Sequence, residues 1–510
     1  MKGKIIAMPD TKDSRPDILY IMCDQLRYDS IAALGNPIIR TPNFDRLAAR
    51  GAVFTDAYST CPVCVPARYT IMTGREPYNT GCYSNEAPKP LDGLAENTEE
   101  RCGDYLARTL AKAGYRTFGV GKFHTCPDTY EDLGFMAHIH TEEMYGSTEM
   151  RMKDGYAAFI HEKHPEFDFI EQLHGERTDM YYMPQTSLFP PELTVENYTA
   201  ERAVEQIEAS LGSGKPYFGF VSFVGPHPPF APPIPYNRMY DPDMMPNPVR
   251  GDLACDHMDE QITWMNYAIW ADELNDFSAR EARARYYGEI TYIDACLGKI
   301  LDCVEAGGNS DNTLICFFTD HGDMIGDHSA WQKECYFEQA CHIPFLLSLP
   351  NKIPAGSTNG SIAALADLFG IATSAAGIRE LRDGADIFGS IGQDPARDYL
   401  FACYMRPGTP YFKLMVRHEN YKYIYMANGG REQLFDLGED RGELENLAAA
   451  RRGIAERYRS YAQNYCKRKG LFDALDENGR LRGFEFSERG LFRIRQFDGS
   501  RGVHDFAVTK

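Results

Sequence analysis

The sequence predicts an α/β fold: a large, mainly parallel mixed sheet flanked by helices, followed by a smaller C-terminal α+β region carrying a short antiparallel sheet. Two observations lead there. Up to about Thr319, apolar runs of strand length alternate with long helical stretches. Beyond Arg397 the runs become short, closely spaced and rich in Tyr and Phe. At 510 residues the chain exceeds one ordinary core. We divide it into an α/β domain over 1–396, a sheet-and-helix subdomain over 397–469 and a tail over 470–510.

The first strand is Asp17 to Cys23, an unbroken apolar run of the kind found where both faces of a parallel sheet are covered. A short helix follows over Thr41 to Gly51, with Pro42 near its start, Phe44, Leu47 and Ala48 at helical spacing, and Gly51 as its stop. Further strands read at Tyr115 to Val120, Tyr217 to Val224 and Thr313 to Thr319. Helices read at Arg101 to Ala113, Glu196 to Leu211 and Arg280 to Ala306. The C-terminal strands are Leu400 to Tyr404, Phe412 to Val416, Tyr421 to Met426 and Gln433 to Leu437, and a helix spans Arg451 to Lys469. The tail carries Arg480, Arg482, Arg489, Arg493, Arg495 and Arg501 without a clear period. We expect it to pack on a neighbouring subunit, which would make the protein a homo-oligomer.

Composition narrows the function. Hydrophobic residues at 43% and charged residues at 25% suit a folded globular chain rather than a disordered one. Lys and Arg number 53 against 73 Asp and Glu, a net charge of −20, which argues against a nucleic-acid partner. Met1 to Pro16 is polar, with no signal-like apolar core, and no window supplies the roughly 20 apolar residues a membrane span needs. A cytoplasmic protein without a membrane partner is the expectation. The fourteen cysteines are scattered rather than spaced as a disulfide framework, in keeping with buried thiols.

In open α/β sheets ligands bind beyond the carboxyl ends of the strands. The predicted strands deliver Asp24-Gln25, then Gly121-Lys122-Phe123-His124, then Gly225-Pro226-His227, and last Asp320-His321-Gly322-Asp323. Singly, each Asp has a bland reading as a turn former and each Lys or His as a surface group. Four such clusters at one sheet edge point to a site. Carboxylate and amide oxygens favour calcium, magnesium or manganese, and a His leaves manganese or zinc open.

Cys61 and Cys64 have the spacing of a redox or zinc pair. No second CxxC completes a zinc site, and no thioredoxin-sized unit surrounds them. What remains is Cys64-Val-Pro-Ala-Arg68, with Pro66 opening a helix that runs to Thr73 and stops at Gly74. That places Cys64 at a helix N-terminus, where anions are favoured.

The run from Cys64 to Arg75 resembles the signature of the sulfatase family of the alkaline-phosphatase-like superfamily. Gly114-Tyr-Arg-Thr-Phe-Gly-Val-Gly-Lys-Phe-His124 resembles its second signature. The opening Arg15-Pro-Asp-Ile-Leu, the Asp320 to His328 block with Lys333 after it, and Gln433-Leu-Phe-Asp-Leu with Glu445-Asn-Leu447 recur in family order, so the resemblance covers nearly the whole chain. It implies that Cys64 is oxidised after translation by a formylglycine-generating maturation enzyme, the hydrated aldehyde being the nucleophile. It further implies one divalent metal, calcium first with manganese or magnesium as alternatives, held by Asp24, Gln25, Asp320, His321 and residue 64. Arg68 would steady the formylglycine, Lys122 and His124 would contact its hydroxyls and the sulfate, and His227 and Lys333 would sit by the ester oxygen. His124 or Asp323 would take the proton whose loss releases sulfate.

Gln25 and His321, where the family often has Asp and Asn, resemble the choline-sulfatase and phosphonate monoester hydrolase branches. The Gly121-Lys-Phe-His124 loop is the sulfatase-like version. The expected activity is hydrolysis of a small-molecule or carbohydrate sulfate ester, with phosphonate monoester or phosphate diester hydrolysis as the alternative. An unmatured non-catalytic binder would have lost charged site residues, and none is missing. A stretch bearing His138, His140, His161, His164 and His174 is either a pocket wall or a solvated surface excursion.

Overall fold

The computed structural model describes residues 15–85, 98–126, 128–142, 148–168, 182, 184–256, 258–393 and 395–492. Its main sheet has eight strands. These are β1 (Asp17–Cys23), β2 (Ala52–Phe54), β4 (Arg116–Gly121), β5 (Ala137–His140), β6 (Tyr217–Phe223), β7 (Thr313–Thr319), β8 (Phe345–Ser348) and β9 (Ser357–Asn359), in the order β5-β4-β6-β1-β7-β8-β2-β9. The run from β5 to β7 is parallel throughout, and β8 lies antiparallel to both of its neighbours. A two-residue β3 (Ala57–Tyr58) pairs with β10 (Ala363–Ala364) beside it.

The alternation of β1 shows why the sheet is central. Leu19, Ile21 and Cys23 pack on one face against the helices Val195–Leu211 and Asp276–Ala306 and α1 (Pro42–Arg50). Ile18, Tyr20 and Met22 pack on the other face with α2 (Cys64–Thr73) and the helices Leu106–Lys112 and Asp367–Ala375. Both faces are covered, so a period of two is hidden beneath a run that is apolar throughout.

The C-terminal sheet is a four-stranded antiparallel meander of β11 (Tyr399–Tyr404), β12 (Lys413–His418), β13 (Tyr421–Met426) and β14 (Arg431–Asp436). The helix Arg452–Lys469 lies across it, burying Tyr458, Ala462 and Tyr465 against strand residues such as Leu414 and Tyr423.

One sequence expectation changes in detail. The single helix expected over Arg101 to Ala113 is two, Thr98–Cys102 and Leu106–Lys112, because Gly103 takes a left-handed φ of 84° between them. Within its own chain the tail is anchored as far as residue 492. Phe484 bridges to Asn428, and the Arg489 guanidinium lies 3.5 Å from the centroid of the Trp264 ring. Arg493, Arg495, Arg501 and His174 lie outside the described residues. Among the described residues no helix is long and apolar enough to cross a membrane.

Candidate active site

The four adjacent strands β4, β6, β1 and β7 end side by side, which brings the predicted clusters together. At the end of β4, Gly121 has a φ of 117°, and a Cβ there would stand 1.9 Å from the Ser222 carbonyl oxygen. Only glycine lets the chain turn so close to β6, and the turn delivers Lys122 into the interior, 1% exposed. α2 runs from Cys64 to its left-handed cap at Gly74. Arg68 is four residues beyond Cys64 and therefore on the same helical face one turn along, which explains the spacing of the motif.

Asp24, Cys64, Asp320 and His321 form one buried group, with a ligand atom from each lying within 4.8 Å of the others. His321 Nε2 is 3.1 Å from Cys64 Sγ and 3.8 Å from a carboxylate oxygen of both Asp24 and Asp320. Its Nδ1 is 3.0 Å from the Gly322 carbonyl oxygen. A carbonyl only accepts, so Nδ1 carries the hydrogen and Nε2 is left to face the group, as metal-binding imidazoles are arranged. Two carboxylates, an imidazole and the residue-64 side chain in a buried cluster suit a divalent cation.

Cations close the site from behind. Arg68 Nη2 lies 3.0 Å from Asp24 Oδ2 and 3.0 Å from Asp320 Oδ2, and the Lys122 ammonium donates to Asp24 Oδ2. Burial and Cys64 push the Asp24 carboxyl up, but Lys122, His227 and Arg68 overcome them and hold it well below the usual carboxylate range. Asp320 moves upward, through burial and the charge of Asp24. Burial likewise opposes ionisation of the Cys64 thiol, yet Lys333, His321, His124 and His227 lower its pKa well below the ordinary value. The surroundings of residue 64 thus stabilise negative charge on it.

The remaining predicted residues fall around this group. His124 has a φ of 48°, and its backbone N–H donates to Glu142 Oε2 at 3.1 Å; its Nδ1 is buried with no hydrogen-bond partner among the described residues. His227 follows a cis Gly225–Pro226 bond, with Nδ1 2.9 Å from the Pro228 carbonyl and Nε2 3.3 Å from Lys333 Nζ. Gln25, expected as a metal ligand, turns its Oε1 to Lys333 Nζ at 2.6 Å. Asp323, considered as a proton acceptor, accepts hydrogen bonds from the Tyr182 hydroxyl, the Gln25 amide and the Ile325 N–H. Cys61 points away, its Sγ 3.7 Å from the Tyr83 carbonyl oxygen, and all fourteen cysteines are free thiols.

Sequence reasoning missed Glu142 and Tyr182. Glu142 accepts the backbone N–H groups of both Phe123 and His124 and also bonds His140, so the two histidines of β5 back the Lys122–His124 loop rather than walling a pocket. His161 pairs with Asp168 at 3.3 Å on the surface. Glu142 obeys the same strand-end rule as the others, but β5 has only four residues and gave no strand signal. A cleft of about 680 Å³ between the main sheet and the C-terminal sheet, bordered by Tyr28, Tyr58, His342 and Arg441, contains none of the strand-end residues.

The family profile described as Sulfatase matches residues 16–378. The chain belongs to the sulfatase family. It is 28% identical over 451 residues to an arylsulfatase of Clostridium perfringens, covering 85% of this chain and 90% of that protein. To a choline-sulfatase of Rhizobium meliloti it is 27% identical over 460 residues, covering 86% and 83%. Its fold matches the crystal structure of the phosphonate monoester hydrolase of Agrobacterium radiobacter with a TM-score of 0.73 at 25% identity, over 92% of this chain and 100% of that one. The protein is accordingly a sulfatase-family hydrolase of alkaline-phosphatase-like fold, and the buried Asp24, Cys64, Asp320 and His321 group is consistent with its active site.

Proposed function

We propose that this sulfatase-family member hydrolyses a sulfate ester, with water, to an alcohol and inorganic sulfate. Cys64 is the precursor of a formylglycine nucleophile, and Asp24, Asp320, His321 and residue 64, with Gln25 at their edge, hold one divalent cation, calcium first. The observation that carries the reading is the position of Cys64. It opens α2 with its sulfur among Asp24, Asp320 and His321, and Arg68 lies one turn behind it.

When bound, the cation supplies positive charge at the reacting sulfate. The hydrated aldehyde supplies an attacking oxygen and a second hydroxyl whose proton must leave for turnover. Arg68 and Lys122 keep the two aspartates in place and add fixed positive charge where the transition state gathers negative charge. Lys333 Nζ, held between Gln25 Oε1 and His227 Nε2, is placed to give a proton to the leaving oxygen. His227 carries its own hydrogen on Nδ1, bound to Pro228 O, so its Nε2 accepts from Lys333. His124, with its buried Nδ1 uncommitted, is the group to receive the proton from the second hydroxyl.

A second reading, phosphonate monoester or phosphate diester hydrolysis at the same site, is favoured by Gln25 and His321 and by the match to a phosphonate monoester hydrolase structure. The deciding experiment is mass spectrometry of the tryptic peptide Gly51 to Arg68 from protein matured alongside a control. Formylglycine at residue 64 supports both readings, and a panel of sulfate esters against phosphonate monoesters then separates them. An unmodified thiol beside a matured control removes the catalytic assignment.

A further inference from the structure

β2 and β9 run parallel to β7 and end at the same edge of the main sheet as the strand-end group, on the far side of the antiparallel β8. The cleft of about 680 Å³ lies off those two ends. Thr55 and Asp56 follow β2, Gly360 follows β9, and all three border it. In open α/β sheets ligands bind outside the carboxyl strand ends, and this volume falls within the roughly 300–1,000 Å³ of small-molecule sites. The helix Glu338–Cys341 walls the cleft on the side of the strand-end group. Against it the Gly322 N–H donates to the Ala340 carbonyl oxygen at 2.8 Å, and a Cβ on Gly322 would stand 2.0 Å from the Gln339 carbonyl oxygen. Backbone packed so closely leaves no passage there.

Most charged groups of the cleft are spent within the protein. Glu338 pairs with Lys422, Arg417 with Asp56 and Arg397 with Asp367. The Gln339 and Asn420 carboxamides, the Asp398 carboxylate and the Arg441 guanidinium, in contrast, form no hydrogen bond or ion pair among the described residues. Gln339 Oε1 is also buried. A buried acceptor without a donor is unfavourable, and turning this amide onto a donor in the cleft relieves it. All four groups are planar and offer paired donors or acceptors, a geometry that meets neighbouring hydroxyls two at a time. Tyr28 borders the same space and adds an apolar surface. His342 stacks on one of its faces, with centroids 3.9 Å apart and planes 18° from parallel. Among the described residues no ring or cation covers the other face, and the Tyr28 hydroxyl has no partner.

These groups select a ligand by what they disfavour. The two unspent charges, Asp398 and Arg441, are of opposite sign, so they exert no net pull on an ion. An anion would meet Asp56 and Asp398, and a cation would meet Arg417 and Arg441. An apolar ligand would strip water from two carboxamides and return no hydrogen bond. A neutral molecule with several hydroxyls and one C–H face satisfies all of them, and a pyranose ring is such a molecule. We propose that the cleft between the main sheet and the C-terminal sheet is a second binding site, separate from the strand-end group, for a neutral sugar of one or two pyranose rings. Tyr28 is its stacking surface, and Gln339, Asn420, Asp398 and Arg441 bind the hydroxyls.

The test reads binding to the full chain rather than turnover, so its result stands apart from the reading of the strand-end site. The probes are cellobiose, lactose, mannobiose, xylobiose and chitobiose. Saturation-transfer NMR with each at about 20 mM should detect at least one, with its ring C–H protons the most strongly saturated. Calorimetry on that sugar should give a millimolar Kd that rises about tenfold in Tyr28→Ala. In Asn420→Ala and in Gln339→Ala the rise should be about two- to tenfold, the loss of one or two hydrogen bonds. These two variants should melt at the wild-type temperature, and they carry the test if Tyr28→Ala does not fold. Silence from every sugar overturns the proposal, as does a Kd that none of the three substitutions moves. A Kd that rises in Lys333→Ala instead puts the sugar at the strand ends and overturns it too.

Discussion

At the strand ends Asp24 and Asp320 face Arg68 and Lys122; at the junction of the two sheets Glu338 and Glu443 face Lys422. Both clusters are buried carboxylates with a buried lysine, yet they are built for different ends. In the junction cluster the acids are matched directly. Lys422 Nζ lies 2.8 Å from Glu338 Oε1 and 2.5 Å from Glu443 Oε1, His342 lies 3.0 Å from Glu338, and Glu443 Oε2 accepts the Glu338 N–H. Despite burial, Lys422 and His342 hold Glu338 well below the usual carboxylate range. At the strand ends, in contrast, the ligand atoms of Asp24, Cys64, Asp320 and His321 face one another. A third pair, Glu196 and Glu289 behind Gly225, has neither device. Burial pushes Glu196 up to about 7 and Glu289 well above its ordinary value, and Glu289 Oε2 has no hydrogen-bond partner among the described residues. Buried acids can be neutralised by a ligand, by a lysine or by a proton, and the choice separates chemistry from architecture.

The largest effect should come from the strand-end cluster. Cys64→Ser removes the precursor of the nucleophile, and turnover should fall by roughly 10⁴-fold or more while the melting temperature barely moves. Cys61→Ser, three residues away, should leave turnover within about twofold, since its thiol makes only a weak bond to a carbonyl. Multiple turnovers by Cys64→Ser at the wild-type rate would sink the mechanism, and loss of activity in Cys61→Ser would revive a role for the cysteine pair.

The junction cluster should show the converse. Lys422→Met leaves two buried carboxylates without their cation and should cost about 3–5 kcal/mol. The molecules that remain folded should keep wild-type kcat. A fall in kcat with unchanged melting would show that this cluster serves the chemistry after all.

The smallest effect concerns the proton-neutralised pair. Because the folded-state pKa values of Glu196 and Glu289 are raised, their favourable contribution is complete below about pH 4.5 and is lost as pH rises, for Glu196 through about 7. Glu289→Gln gives Glu196 a neutral donor in place of a second acid. Its melting temperature relative to wild type should rise between about pH 5 and about pH 8. A constant difference over that range would mean the pair does not titrate with folding.

Much of this was legible without coordinates. β1 and β7 have the bounds their apolar runs mark, and β6 differs by one residue, because strands covered on both faces must be apolar throughout. Short strands such as β2, β5 and β9 could not be read. Three or four residues hold no detectable period, and their pairing comes from a neighbour distant in the chain.

The sequence by itself determined that Asp24, Lys122, His227, Asp320 and His321 would share one edge, since chemistry placed after parallel strands must collect at their carboxyl ends. It also determined that Cys64 would open a helix and that Arg68 would lie on the same face, because both follow from local geometry. Only the tertiary structure decided the orientations. Gln25 turns to Lys333, Glu142 clamps the His124 loop, and Asp323 is occupied by Tyr182, 141 residues away in the chain. Such hydrogen bonds depend on distances of a few tenths of an ångström between segments with no local relation to one another, and no spacing or period in a sequence encodes them.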